Sequence, residues 1–371
     1  MNDKYRNKCK KIGIVTIHTD FNYGAVLQAV ATQKFLEFNG FDAEIINYEN
    51  PIIGAQSHII YKQGGEYTGY IKTFIRNIFF GRYFYYKKAI QDLDAYRKIS
   101  TMRYKRKEDL DSVPYDIIIA GSDQIWNPDI SRGIDPVFLL EFGGNVKRIS
   151  IATSLGSYKL RSEDCNVFKN AFKYFESISV REKHAKDQLQ PLTDKIIKVI
   201  LDPTLLLSKS DWLNLIGHNS RYSTKKQKYI LTYFVGGEKS KYRPIVSEYA
   251  KTLNLPLWTI QYSNYTWKES DKKILGASIV DFIALIANAD LVITDSFHGV
   301  AFSINLGVNF IPVTNVANPI RVKELLIELG MEERMDMTPA TYHPVCYEMV
   351  IPKLASLRED SKKWIIDAIN N

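Results

Sequence analysis

The chain has 371 residues, 45% of them hydrophobic and 24% charged, with a formal charge of +8. That composition fills two cores of ordinary size, and no apolar run reaches the roughly 18 residues that a membrane-spanning helix needs. The three cysteines, Cys9, Cys165 and Cys346, lie far apart with no C-x-x-C, which excludes a disulfide framework or a cysteine zinc site and points to a reduced, cytoplasmic setting.

The first six residues include basic side chains but no apolar stretch before Ile12, so no signal peptide is expected. Residues 11–17 read as a buried strand running into a polar loop that holds Asp20, Asn22 and Gly24. An apolar pattern at helical spacing follows, from Val26 to Leu36, and closes at Asn39-Gly40 before a second strand over residues 43–48. This is the opening of a doubly wound sheet, and the loop lies on its ligand side. It lacks G-x-G-x-x-G, which disfavours a dinucleotide site. For Asn22 and Gly24 a helix-capping turn is the structural alternative.

Residues 54–110 break the pattern as an insertion rich in aromatic and basic residues. Helices are expected over residues 67–80 and 83–98. Between residues 60 and 110 there are twelve basic and five acidic residues, so an excess of seven positive charges sits in one region and the rest of the chain is nearly neutral. That argues against a nucleic-acid-coated surface. Solvated helices with inward aromatics and an anionic membrane surface along residues 60–107 are the two main options, with nucleic acid a weaker third.

A third buried strand ends in Gly121-Ser122-Asp123-Gln124-Ile125-Trp126-Asn127. Ser122, Asp123 and Gln124 should line the carboxyl edge of the sheet, and Trp126 either faces a sugar ring or packs in the core. Further strands over residues 147–153 and 175–180 bring Arg181 to the same rim, as an anion clamp or as half of an Arg–Glu pair. Asp202-Pro203-Thr204 closes an N-terminal α/β domain, residues 1–205. Residues 206–228 read as a linker, and a second α/β domain, residues 229–371, contains strands near residues 229–234, 256–260, 291–294 and 310–313. Its last helix, expected over residues 356–369, is free to pack back on the first domain.

In that second unit the run Leu291–Thr294 passes into Asp295-Ser296-Phe297-His298-Gly299 and then a core helix. Ser296, Phe297 and His298 therefore stand where a helix N-terminus offers N–H groups to an anion. A hydrogen-bonded structural histidine is the alternative. Two Rossmann-like domains whose strand ends face each other across a cleft describe the α/β, GT-B-like arrangement. The six histidines show no metal spacing, so no metal is expected.

Five segments taken together resemble the polysaccharide pyruvyl transferase family: Asn22-Tyr23-Gly24-Ala25-Val26-Leu27-Gln28, Gly121 to Asn127, Ser179-Val180-Arg181-Glu182, Asp202-Pro203-Thr204 and Thr294 to Gly299. The resemblance implies transfer of the pyruvyl group of phosphoenolpyruvate to a sugar, usually as a cyclic ketal on a lipid-linked precursor of a cell-surface polysaccharide such as a capsule or exopolysaccharide. No cofactor beyond that donor is implied. An arginine at the position of Arg181 and an Arg-Leu-His triplet hold the donor in some members; here the triplet reads Ser296-Phe297-His298, and Arg321 is the candidate replacement for the missing arginine. His298 is then the expected anion ligand and acid, Arg181 the clamp, and Asp20 or Asp123 the base. Lipid-linked acceptors would place the protein peripherally at the inner face of the membrane. A nucleotide-sugar glycosyltransferase of the same fold, for which Glu324 and Glu332 supply an E-x7-E spacing, and a non-catalytic glycan-binding protein are the rival readings.

Overall fold

The computed structural model describes residues 10–19, 22–55, 68–79, 81–225, 227–235, 239–261, 270–313 and 319–371. Asp20 lies outside the described residues, as does part of the basic insertion.

The first sheet contains β1 (Lys11–Val15), β2 (Asp42–Tyr48), β3 (Ile99–Tyr104), β4 (Ile117–Ala120), β5 (Lys147–Ser150), β6 (Phe175–Val180) and β7 (Ile197–Val199). The second contains β8 (Ile230–Tyr233), β9 (Leu257–Gln261), β10 (Lys272–Leu275), β11 (Leu291–Thr294) and β12 (Phe310–Pro312). Their orders are β3-β2-β1-β4-β5-β6-β7 and β10-β9-β8-β11-β12, with every described pairing parallel. Central strands such as β4, β8 and β11 are buried at every residue, which is why they read as continuous apolar runs and do not alternate. Strand order reverses between β1 and β4 and again between β8 and β11. In open α/β sheets those are the points where the loops part and a crevice opens.

The insertion departs from its expected form. The helix starting at Arg82 ends at Ala89, short of the expected residue 98, and residues 99–104, for which the sequence pattern suggests no element, form the edge strand β3. Hydrogen bonds to distant residues decide this: Asn47 N–H donates to Ser100 Oγ at 2.9 Å and Lys98 N–H donates to Gln33 Oε1 at 2.9 Å. Tertiary pairing overrides local helical preference. Several of the cations here also meet carboxylates, Lys98 with Asp42 at 2.6 Å, Arg103 with Glu49 and Arg106 with Asp109 at 2.8 Å. Part of the local positive excess is thus neutralised within the fold.

The two sheets are joined by a continuous apolar core. Tyr23, opening the helix Tyr23–Phe38, stacks on Phe282 with centroids 4.6 Å apart and donates its hydroxyl to the Ala277 carbonyl at 2.6 Å. Such a stack contributes about 1 kcal/mol beyond area burial. Residues 206–228 are not an open tether, since the helix Lys209–Ile216 buries Trp212, whose Nε1 donates to the Thr204 carbonyl at 2.9 Å. The last helix, Tyr347–Asn370, starts earlier than its apolar pattern suggested and runs through Pro352. It rests on the first sheet's side: Leu201 N–H donates to Ser361 Oγ at 3.1 Å, and Lys10 Nζ donates to the Ile369 carbonyl at 2.8 Å.

Candidate active site

The carboxyl edge of the first sheet continues past β4, β5 and β6 through parallel bridges that link Asp123, Thr153 and Val180. Asp123 holds a left-handed φ of 72°, unusual for a residue with a Cβ, and its carbonyl accepts the Ser154 N–H at 3.0 Å. Arg181 follows β6 directly, with its N–H bonded to the Thr153 carbonyl at 3.1 Å. The sheet itself therefore aims the Arg181 side chain at the rim.

That side chain is buried, and it meets Glu182 Oε1 at 3.1 Å and Asp202 Oδ2 at 2.7 Å. Burial opposes its charge, but the carboxylates of Glu182, Asp202 and Asp123 outweigh burial and hold the guanidinium protonated well above the ordinary range. Asp202 is the hub. Its Oδ1 accepts from Thr204 N–H at 2.9 Å and Thr204 Oγ at 2.7 Å, capping the helical turn Pro203–Leu206. Its Oδ2 takes Arg181, lies 3.1 Å from Ser122 Oγ and 3.5 Å from His298 Nε2. Burial would raise its carboxyl, yet the charges of His298 and Arg181 and the Thr204 bond hold it well below the usual carboxylate range.

His298 arrives from the other sheet. Ser296 caps the helix Phe297–Leu306, its hydroxyl accepting the Gly299 N–H at 3.3 Å, and so sets His298 in the first turn. The ring packs against Gly24: a Cβ there would lie 1.9 Å from His298 Nδ1. Gly24 is thus a close-approach glycine that lets the two domains meet around the imidazole. His298 Nε2 is sealed from solvent and forms no hydrogen bond, and the same is true of Arg181 Nη2, Glu182 Oε2 and Arg321 Nε. Buried polar atoms without partners are costly, and four in one place mark a site arranged for something else to complete it.

Phe297 contributes a platform. The Arg181 guanidinium lies 4.5 Å from its ring centroid and that of Arg321 lies 5.8 Å away. Arg321, on the helix Pro319–Leu329, keeps some exposure as a residue, though none at Nε. Burial of its guanidinium and repulsion from Arg181 lower it to about 10, so it remains a cation at neutral pH. Both arginines, Asp202 and Phe297 line a cavity of about 760 Å³ between the end of β6 and the helix Pro319–Leu329. His298 does not line it, but reaches it through Asp202.

The remaining predicted residues divide. Ser122 belongs to the Asp202 hub. Asn22 caps its helix, accepting the Gly24 N–H at 2.9 Å, and Tyr233 OH lies 3.4 Å from the same oxygen. Gln124 accepts from Asn127 Nδ2 at 3.0 Å and fills the space beside Gly156. Trp126 is not a sugar platform: it is 1% exposed, packed among Phe168, Phe172 and Phe175, with Nε1 donating to the Phe138 carbonyl at 3.0 Å. Local sequence could not separate those fates, because either a buried or a rim tryptophan suits the segment after a strand. Glu324 and Glu332 do not form a pair either. Glu324 accepts the N–H groups of Lys183 and His184 at 2.7 and 3.0 Å, across the domain junction, whereas Glu332 is exposed on a separate turn. Glu182 is the partner in the Arg–Glu pair offered as one reading of Arg181, at 3.1 Å, whereas Asp202 is the site residue to which sequence reasoning assigned no role. The Asp-Pro-Thr signal was visible, but it announces a helix cap and not a charge hub. Among the described residues, no three His, Cys, Asp or Glu side chains are grouped so as to hold a metal ion.

Two parallel-sheet domains meeting at their strand ends over a cavity with buried cations define an α/β protein of the GT-B-like class. Solved structures agree on the fold. The UDP-GlcNAc 2-epimerase of Methanocaldococcus jannaschii, in complex with UDP-GlcNAc and UDP, matches at 13% identity and TM-score 0.52, over 97% of this chain and 98% of the epimerase. The Neisseria meningitidis UDP-GlcNAc 2-epimerase bound to UDP-GlcNAc matches at 10% identity and TM-score 0.50, over 97% and 99%. A search of curated proteins returns no match. The family model for polysaccharide pyruvyl transferase matches residues 22–316, and the chain belongs to that family. It is accordingly a transferase with a polysaccharide-related acceptor.

Proposed function

We propose that the protein transfers the pyruvyl group of phosphoenolpyruvate to a sugar of a lipid-linked precursor of a cell-surface polysaccharide, forming a pyruvate ketal and releasing phosphate. The observation that carries this reading is the pair of arginines, Arg181 and Arg321, over one Phe297 ring at the wall of a cavity, each with a buried N–H group lacking a partner. Two like charges in a partly desolvated place are unfavourable until an anion lies between them. Phosphoenolpyruvate offers a carboxylate and a phosphate, and guanidinium is suited to both.

In this reading the first acceptor hydroxyl adds its oxygen to C2 of the donor while C3 takes a proton. The C2–phosphate bond then breaks with its electrons leaving on phosphate, and a second hydroxyl adds to C2 to close the ketal. Of the two hydroxyl protons released, one balances the proton gained at C3 and one ends on phosphate. Arg181 and Arg321 stabilise charge on the leaving phosphate and on the carboxylate. His298, set behind the cavity wall, is the source of the C3 proton in this reading, and relays it through Asp202, whose Oδ2 lies 3.5 Å from its Nε2. Asp123, at the rim beside both arginines, takes the acceptor proton.

Phosphate release from phosphoenolpyruvate in the presence of a lipid-linked glycan extract, with the product examined by mass spectrometry, tests the proposal. Release should depend on both donor and acceptor and fall by about a thousandfold or more in Arg181→Ala. Consumption of a nucleotide sugar with phosphoenolpyruvate untouched would overturn it.

A further inference from the structure

The segment Thr68–Phe74, continued by a π-type turn over Ile75–Phe79, is arranged inside out. Its buried positions include Thr73 and Asn77, 0% and 1% exposed, while Ile71 is 64% and Phe79 77% exposed. Tyr70, Phe74 and Ile75 are exposed beside them, and Phe84 on the neighbouring helix Arg82–Ala89 is 59% exposed. Scattered surface hydrophobics need no explanation, but a helix that buries its polar residues and presents apolar ones is adapted to an apolar neighbour. Lys72, Lys87 and Lys88 are exposed within the same stretch.

The position of this face matters. A Cβ on Gly276 would lie 2.5 Å from the Tyr85 carbonyl, so the Arg82–Ala89 helix sits on the turn that leaves β10, at the carboxyl end of the second sheet. The same carboxyl edge carries Phe297 and Arg321, beyond β11 and β12 at the other side of the sheet. Both helical pieces are far too short to span a bilayer, and among the described residues no helix is long and apolar enough to do so.

We propose that the face formed by Tyr70, Ile71, Phe74, Ile75, Phe79 and Phe84 seats in the boundary between headgroups and acyl chains of an anionic bilayer, with the flanking lysines on lipid phosphates. Charge complementarity selects this occupant, since the exposed Lys72, Lys87 and Lys88 stand on the same two helical pieces as the exposed apolar side chains. The inference concerns binding alone and does not depend on the reading of the cavity.

Sedimentation of the full chain with vesicles tests it. The protein should pellet with phosphatidylcholine vesicles carrying about one-third phosphatidylglycerol, pellet little with phosphatidylcholine alone, and be released as salt screens the lysines. The combined variant Ile71→Ser, Phe79→Ser, Phe84→Ser should bind at least about tenfold more weakly with an unchanged thermal melt. The combined variant Lys72→Gln, Lys87→Gln, Lys88→Gln should lose the preference for anionic vesicles. Equal pelleting with neutral and anionic vesicles would overturn the proposal, as would wild-type binding by the serine variant. So would a concentration-dependent dimer in light scattering that the serine variant abolishes while vesicles bind neither protein; the face would then be covered by a second copy.

Discussion

The candidate site and the face at residues 70–84 both violate the usual distribution of side chains, in opposite directions. At the site, the side chains of Arg181, Glu182 and Asp202 are charged and almost completely enclosed. At the face, isoleucine and phenylalanine stand in water while threonine and asparagine are sealed inside. Each arrangement costs stability in the isolated chain, and in the two proposed readings that cost is relieved differently, by an anion in one case and an apolar phase in the other. The lesson is that the two regions should respond to substitution with opposite balances of stability and binding.

Asp202→Ala should give the largest effect. It strands a buried guanidinium and should lower unfolding free energy by about 3–5 kcal/mol, measured by urea denaturation. Because the folded carboxyl titrates well below the unfolded one, its stabilisation is fully present above about pH 4 and is lost as pH falls below that. Asp202→Ala should therefore flatten the acid side of the stability profile. If the variant melts like wild type, the hub contributes nothing and the comparison fails.

Gly24→Ala comes next. The added methyl meets the His298 ring, so a loss of about 1–3 kcal/mol is expected from overpacking, together with loss of turnover as the imidazole is pushed from Asp202. Thermal melting and phosphate release read the two parts separately.

Arg321→Leu separates function from stability. Its cation is opposed by burial and by Arg181 in the empty site, so the variant should melt at the same or a higher temperature while donor affinity falls by about tenfold or more. Calorimetric titration with phosphoenolpyruvate measures the second effect. A lower melting temperature with undiminished affinity would make Arg321 a structural cation.

Phe79→Ser should have the smallest effect on stability, within about 0.5 kcal/mol, because its side chain is already in water. A large loss there would mean that the ring is part of the core and would erase the contrast between the two regions.

The strand–loop–helix units were legible from residue order, because strands buried on both faces must be apolar throughout and the polar clusters after them must lie at the sheet edge. Arg181, Ser122, Asp123 and His298 were placed at that edge by this logic alone. Sequence order also carried the five motifs of the family and the local excess of positive charge. It did not carry the convergence on Asp202, because periodicity is a property of neighbours in the chain, whereas Asp202 receives Ser122, Arg181 and His298 from three separate strand ends. The fate of Trp126, the early end of the Arg82 helix at Ala89, and the outward direction of Ile71 and Phe79 were settled in the same way. In each case the local pattern allowed two burial states, and packing against residues far away in the chain selected one.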